Sequence, residues 1–449
     1  MTSLTFYGGA SEIGGNKILV EDRKTRVFLD FGQSFSLLDG FFVPEAFLSP
    51  RDRFGLKDFF EFGLVPKLRG LYCEKALENS SLPYDKEAAF DAIFVSHPHF
   101  DHVAHLEYLH PDIPVYLGEA TKTILDSTEE TTKQKFCSEE SCVKTFRSGQ
   151  AQSVGNLKVT PIHVDHSVPG AYGFLIETSE GTIAYTGDFR LHGPKSSLSQ
   201  EFLDKAKAAD PQALIIEGTR VSAKETRKNH SEETVENESR RVISESNELV
   251  VTMRYPKDLD RFQTFYTLAK ETGRTLIISM KTAHLLESLK NDPHIKLPDP
   301  FSDKNLKVYC RQLKVYKKWQ QQMISKCVDA AFVSENQKNL ILETDFYYLT
   351  ELIDIQPKAG DCIHSMSEPF EEDPISQISD DVLDNWCNHF KLRRHQLHAS
   401  GHASKDQILS IADSLGAKKV FPVHTNHPDL FRMLKTKTIL PTKNQAIEI

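Results

Sequence analysis

This 449-residue sequence predicts an α/β protein built in layers, on three observations. Apolar runs of strand length end in polar, turn-forming residues: 92–96 runs into His97, 181–186 into Gly187 and Asp188, and 213–216 into Glu217. Loops at strand ends are where layered α/β folds build sites, since the strands fix the backbone and the loops are free to vary. Beyond residue 222, strand and helix patterns alternate, the mark of parallel strands joined by crossover helices. The composition, 39% apolar and 26% charged, suits a chain able to bury more than one core.

Taken in order, residues 4–7, 17–21 and 26–30 read as short strands separated by the turn signals Gly8-Gly9 and Gly14-Gly15. Residues 34–90 are irregular and rich in aromatics, with a helix and loop over 50–72 expected to lie over the sheet. A buried strand at 92–96 is followed by a helix from Val103, then by strands at 113–117, 157–162, 172–177, 181–186 and 213–216. The texture changes near residue 222 to a charged helix over 231–247, with Ser231 as N-cap and Glu232 and Glu233 in its first turn. Strands at 249–253 and 275–279 then alternate with helices at 259–272 and 283–289, and a further strand is expected at 330–333. The acidic stretch 367–384 reads as a return linker or exposed helix, and strands resume at 394–398 and 418–423.

The bulk numbers narrow the function. A net charge of −9 argues against coating nucleic acid by bulk attraction, which needs many Lys and Arg contacts to phosphate, but it leaves local patches open. No run of about 18 apolar residues appears and the start lacks a secretory pattern, so the expected location is the cytoplasm, with no membrane partner. Seven scattered cysteines form no metal or disulfide framework.

Histidine is the unusual feature. Twelve of 18 fall in four groups, at 97–110, 163–166, 395–402 and 424–427. The run His97-Pro98-His99-Phe100-Asp101-His102 packs three imidazoles and a carboxylate into six residues, a donor set suited to a borderline divalent cation such as zinc. On extended backbone His97 and His99 point the same way, whereas Asp101 and His102 lie at the following turn and can reach a second ion. His166, Asp188 and His424 each lie at or just past the end of an apolar strand. His105, His110 and His163 read as structural, although His105 could donate to a ligand, and His427 reads as a helix N-terminal residue or a partner behind the ligands.

In that order and context the sequence resembles the metallo-β-lactamase superfamily, and Glu217 with His402 is similar to the pattern of its β-CASP nucleases, especially the ribonuclease J-like ones. The runs Val164-Asp-His-Ser-Val-Pro-Gly-Ala-Tyr-Gly, Tyr185-Thr-Gly-Asp-Phe-Arg and His398-Ala-Ser-Gly-His-Ala carry the likeness. It implies a four-layer αββα fold over 1–221, completed by 393–449, with a small parallel α/β β-CASP domain inserted at 222–392. It also implies two divalent ions, zinc or, with the same donors, manganese: His97, His99 and His166 on one, Asp101, His102 and His424 on the other, and Asp188 bridging. Such a pair would supply hydroxide near neutral pH beside a phosphodiester, with Asp101 also orienting it.

Within that resemblance, an imidazole at His402 beside Glu217 can donate to the departing oxygen, and His398, Ser400 and Gly401 would bind phosphate on the substrate's 5′ side. Histidine at 424 favours single-stranded RNA over DNA as substrate, cut in exonuclease or endonuclease mode. Arg254, Lys257, Arg261 and Lys281 could line a nucleic-acid groove, and so could the run 311–318, which reads equally as a solvated helix face. Three other readings compete: a DNA nuclease, a catalytically idle RNA-binding member of a processing complex, and a small-molecule esterase, which would leave 222–392 unexplained. Ribonuclease J-like chains ordinarily continue into a further domain whereas this sequence ends at Ile449, Asn426 stands where an acidic residue often follows, and oligomeric state is left open.

Overall fold

A computed structural model describes residues 1–44, 47–137, 142–224, 230–369 and 374–449. Three sheets organise them. The first runs Ala446–Glu448, Thr2–Gly8, Lys17–Asp22, Thr25–Leu29, Ala92–Phe94, Val115–Gly118 and Val143–Phe146. The second runs Lys419–Val423, Ala213–Glu217, Gly181–Tyr185, Tyr172–Thr178, Leu157–His163 and Gln152–Val154.

These two sheets face each other, because alternation along each strand sends one set of side chains inward. Leu4, Phe6, Ile18, Val27 and Phe94 of the first pack with Phe174, Ile183, Ile215 and Phe421 of the second in one buried cluster. Each outer face then needs its own cover. The aromatic-rich segment after residue 34 supplies it for the first sheet, where Leu56, Phe59 and Phe60 pack against Phe28 and Ile93. Helices Ser196–Ala208 and Lys405–Ser414 supply it for the second, through Phe202, Ala206, Ile408 and Ile411 against Leu214 and Val420. The result is the four-layer arrangement of helix, sheet, sheet and helix that the sequence predicts.

The third sheet is larger than the small unit expected. Its seven strands run Cys327–Val328, Leu306–Tyr309, Thr275–Ser279, Leu340–Thr344, Leu249–Arg254, Gly360–Ser365 and Leu392–Gln396, all paired in parallel. Helices Glu232–Glu245, Leu259–Thr272 and Met280–Leu289 cover one face and Glu351–Ile355 and Pro374–His389 the other. Ser231 caps the first of these helices as expected, its hydroxyl accepting from the Thr234 amide.

Three local expectations change. Residues 330–333, strand-like in sequence, open the helix Ala330–Glu335, whose N-cap Asp329 accepts from Phe332 N; four apolar residues are too few for periodicity to separate the two states. The helix expected from Val103 is only the turn Phe100–Val103 followed by the 3-10 turn Leu106–Tyr108. The strand read at 394–398 is Leu392–Gln396, and it pairs with Gly360–Ser365 of the third sheet. Of the acidic stretch, 370–373 lies outside the described residues and the helix Pro374–His389 follows it. Among the described residues no helix is long and apolar enough to cross a membrane, and all seven cysteines are free thiols.

Candidate metal centre

Strands from both sheets of the sandwich end at one place. His97 follows Ala92–Phe94, His166 follows Leu157–His163, Asp188 follows Gly181–Tyr185, Glu217 closes Ala213–Glu217 and His424 follows Lys419–Val423. Six of the seven expected donors are buried and His99 is half-buried.

The donors fall into two groups. His97 Nε2 and His166 Nε2 stand 3.0 and 3.1 Å from His99 Nδ1, three imidazole nitrogens aimed at a common point. In the second, Asp101 Oδ2 lies 2.8 Å from His424 Nε2 and 3.5 Å from His102 Nε2. Asp188 Oδ2 belongs to both: it is 3.6 Å from His97 Nε2, 3.3 Å from His102 Nε2 and 3.7 Å from His424 Nε2. Two buried atoms here, His102 Nε2 and Asp188 Oδ1, have no hydrogen bond among the described residues. Buried polar atoms without partners are costly unless something else meets them, and a divalent cation fits this donor set.

Electrostatics point the same way. Burial holds His97 and His99 well below the usual imidazole range and His166 at about 4, with neighbouring imidazoles adding to it, so all three keep lone pairs for a cation. Burial would also lower His102 and His424, but the charges of Asp188 and Asp101 outweigh it, raising His102 well above its usual value and His424 to about 9. Burial would raise Asp101 and Asp188, yet His102 and His424 hold both well below the usual carboxylate range. The second group thus draws in positive charge, which is what a cation brings.

The imidazoles are oriented by contacts on their far nitrogens, the usual second layer of a metal site. His166 Nδ1 donates to Gly401 O at 2.5 Å, Thr219 Oγ1 lies 2.8 Å from His424 Nδ1, and Ser96 Oγ lies 3.0 Å from His97 Nδ1. Asp30, fully buried, accepts from His102 Nδ1 at 2.8 Å, Ser96 N at 2.6 Å, Ser96 Oγ at 2.8 Å and Tyr185 OH at 2.6 Å. Sequence reading passes over Asp30, Ser96 and Thr219; the available signal for Asp30 is a carboxylate at the end of the apolar strand 26–29. The backbone is fitted as closely: a Cβ on Gly32 would stand 1.8 Å from the carbonyl carbon of Asp101, and His424 itself adopts φ 53°.

Beside this centre, His402 Nδ1 lies 3.0 and 3.1 Å from the two oxygens of Glu217, which also accept from Phe189 N and Thr219 N. Burial pushes the Glu217 carboxyl up, but the adjacent His402 charge and hydrogen bond bring it below its ordinary value. His398, Ser400 and Gly401 sit on the loop from the third sheet to the centre. His398 lies 3.3 Å from Ser365 O and 3.2 Å from Ser367 Oγ, and burial lowers its imidazole to about 3. Ser400 Oγ accepts from His402 N, a turn contact, and Ser400 O accepts from His192 Nε2.

Not all expected basic residues reach the cleft. Arg254 is buried and pairs with Glu343 at 2.6 Å, and Arg261 pairs with Glu232 at 2.5 Å while also donating to Ser365, so both hold the inserted sheet together. Lys257 crosses to the donor loop, its Nζ donating to Pro98 O at 2.8 Å. His105 bonds Gln33 at 2.9 Å, His163 stacks on Tyr172 and His110 on Tyr84, and none touches a donor. His427 precedes the 3-10 turn Pro428–Met433.

A sandwich of two sheets with imidazoles and carboxylates converging at its strand ends defines a metal-dependent hydrolase. The family described as beta-lactamase superfamily domain matches residues 65–240, and the Zn-dependent metallo-hydrolase RNA specificity domain matches residues 389–434. The chain is similar to Ribonuclease J of Mycoplasma genitalium, 21% identical over 97% of this chain and 69% of that one. Ribonuclease J of Helicobacter pylori strain 26695 is 22% identical over 98% and 59%, and Ribonuclease J2 of Bacillus subtilis 23% identical over 74% and 58%. The chain thus spans from 58% to 69% of the length of these curated relatives. A crystal structure of a protein of unknown function from Enterococcus faecalis V583 superposes with a TM-score of 0.78 at 25% identity, each chain covered completely. Residues 65–240 thus resemble a beta-lactamase superfamily domain, residues 389–434 resemble a Zn-dependent metallo-hydrolase RNA specificity domain, and nearly the whole chain is similar to Ribonuclease J.

Proposed function

We propose that this chain hydrolyses phosphodiester bonds of single-stranded RNA as a metal-dependent ribonuclease in the cytoplasm. The observation that carries the reading is Asp188 Oδ2, placed against both groups of donors at once. In this reading His97, His99 and His166 hold one divalent ion, Asp101, His102 and His424 the other, and Asp188 spans the two, with zinc or manganese as the ions. Bound there, the pair supplies a water of lowered pKa and a Lewis acid at the phosphate.

The chain's own groups do the rest. Asp30, Thr219 and the Gly401 carbonyl fix the rings, so the donors are in place before substrate arrives. The Glu217 carboxylate accepts a hydrogen bond from His402 Nδ1–H and favours the protonated ring, whose Nε2 proton would pass to the departing 3′ oxygen and leave a neutral imidazole. His398, Ser400 and Gly401 lie on the loop beside it, where imidazole, hydroxyl and backbone groups suit a phosphate of the 5′ side. In this reading residues 1–221 begin the catalytic domain and the β-CASP insertion starts at 222; because the strand Leu392–Gln396 pairs within the inserted sheet, the return to the catalytic domain follows that strand instead of starting at 393.

The test is cleavage of end-labelled single-stranded RNA, carrying a 5′ monophosphate or a 5′ triphosphate, with zinc or manganese and with Asp101→Ala as control. Cleavage by the intact protein alone is expected, and the product ladder assigns exonuclease or endonuclease mode. Substrate left intact under every condition would sink the reading. Preferential cutting of a matched DNA strand would replace it with a DNA nuclease.

A further inference from the structure

The third sheet carries a cavity that the hydrolytic chemistry leaves unused. Strands Thr275–Ser279 and Leu340–Thr344 lie side by side and parallel, yet the chain leaves their C-terminal ends in opposite directions. From Ser279 it enters helix Met280–Leu289 on one face and proceeds to Leu306–Tyr309. From Thr344 it reaches helix Glu351–Ile355 on the other face and proceeds to Gly360–Ser365, beyond Leu249–Arg254. Adjacent strand ends whose connections diverge leave a crevice at the carboxyl edge, and open α/β sheets bind ligands there.

A cavity of about 310 Å³ opens at that crevice, lined by Lys281, Tyr309, Arg311, Lys317, Trp319 and Tyr348 among others. Its size matches the lower end of small-ligand pockets. Three of these six are aromatic, Tyr309, Trp319 and Tyr348, and the indole Nε1 of Trp319 is buried without a hydrogen bond among the described residues. Its carboxylates are already engaged: Glu343 bonds Arg254, Ser279 N and Thr282, and Glu351 bonds Arg311 Nε and the Tyr309 hydroxyl. The Arg311 guanidinium lies 4.3 Å over the Tyr348 ring. Lys281 and Lys317 form no ion pair among the described residues, although Asp345 is the carboxylate whose charge meets Lys281. Rings offer a stacking surface to a planar base, and two ammonium groups without an ion-pair partner among the described residues, Lys281 and Lys317, the latter donating to Thr132 O at 3.4 Å, offer with Arg311 a seat to a phosphate.

We propose that this cavity binds a nucleoside monophosphate unit, its base against the aromatic rings and its phosphate toward Lys281 and Lys317. The unit is either a free mononucleotide or one nucleotide of a strand lying in the domain cleft. The cleft is close, because the carboxyl edge of this sheet also sends Lys257 to Pro98 O. Identifying the ligand as a nucleotide rests on the nuclease reading, but the cavity itself does not involve the metal centre.

Trp319 is one of only two tryptophans, so Trp386→Phe leaves it as sole reporter. Chelator-treated W386F protein is titrated with each of the four ribonucleoside 5′-monophosphates, with inorganic phosphate, with unphosphorylated nucleosides, and with a short single-stranded RNA. A saturable change in indole emission with mononucleotides, or with RNA alone, is expected, weakened at least about tenfold by Lys281→Ala combined with Lys317→Ala and weaker for phosphate or nucleoside alone. The mononucleotide and RNA arms tell the two sources apart. No saturable change at millimolar ligand, or equal affinity in the double variant, overturns the proposal. Because metal-stripped protein is used, that failure is separate from failure of RNA cleavage in the zinc-loaded protein.

Discussion

Two buried polar clusters lie a few residues apart on the same loop and are built on opposite principles. The metal centre gathers like with like: imidazole nitrogens face imidazole nitrogens, two carboxylates share one space, and two buried atoms lack hydrogen bonds. The cluster around Arg190 is complementary. Arg190, fully buried, donates to Asp165 at 3.1 Å, Glu232 at 2.6 Å and Asp260 at 3.0 Å, so one guanidinium fork ties the loop after Asp188 to two helices of the inserted sheet. Arg261 and Lys195 complete it on Glu232 and Asp260, with Arg261 Nε lacking a hydrogen bond among the described residues. A cluster that closes on itself is structure; one whose donors converge without closing is arranged for something that arrives.

The largest effect should follow from breaking the open cluster where both halves meet. Asp188→Asn keeps the side-chain shape but removes the shared carboxylate charge, and RNA cleavage should fall by a factor of about 1,000 or more, the order of a lost central electrostatic group. Elemental analysis should show the bound metal falling with it, while chemical denaturation of the metal-free variant stays near that of the metal-free parent. Unchanged metal content would contradict the shared role.

Breaking the closed cluster should do the reverse. Arg190→Met strands Asp165 as a buried carboxylate and leaves Glu232 and Asp260 with only Arg261 and Lys195, and removing one partner of a buried ion pair costs about 3–5 kcal/mol. A denaturation midpoint that barely moves would show the cluster is solvated. Thr219→Val sharpens the contrast from outside the donor set. Losing the contact to His424 Nδ1 should weaken metal affinity by about 10- to 100-fold, read by competition with a chromogenic chelator, with little change in stability of the metal-free protein.

The smallest effect concerns Lys17, fully buried under the centre, with Nζ donating to Gly32 O at 2.6 Å. Burial lowers its ammonium to about 7, against the pull of Glu12. Between that value and the ordinary lysine value near 10.5 the unfolded chain binds the extra proton, so this group makes stability rise with pH across the window and fall as pH drops to about 7. Subtracting the stability of Lys17→Met should remove a slope of at most about 1.4 kcal/mol per pH unit. A difference flat in pH would mean Lys17 titrates normally.

The seven expected donors are legible because His97, His166, Asp188 and His424 stand at or just past the end of an apolar strand, and because three imidazoles within six residues serve no packing purpose. Asp30 and Thr219 are equally close to the chemistry and are not legible: an Asp or Thr at a strand end reads as turn chemistry, and only the fold brings a His ring within hydrogen-bond distance. Arg254 and Arg261 err in the other direction. Their charge and position suggest a nucleic-acid groove, but Glu343 and Glu232, each brought from elsewhere in the chain, consume them.

The sequence by itself determined many strands of the sandwich, the helix beginning after Ser231 and the donor types, since period, cap and ligand chemistry are properties of neighbours in the chain, but it left strands such as Leu340–Thr344 and Gly360–Ser365 unread. Tertiary structure alone decided that seven strands of the third sheet pair in parallel, that residues 330–333 turn as helix, and that Asp188 reaches both groups of imidazoles. Those outcomes depend on which distant groups share a buried space, and no local window contains that information.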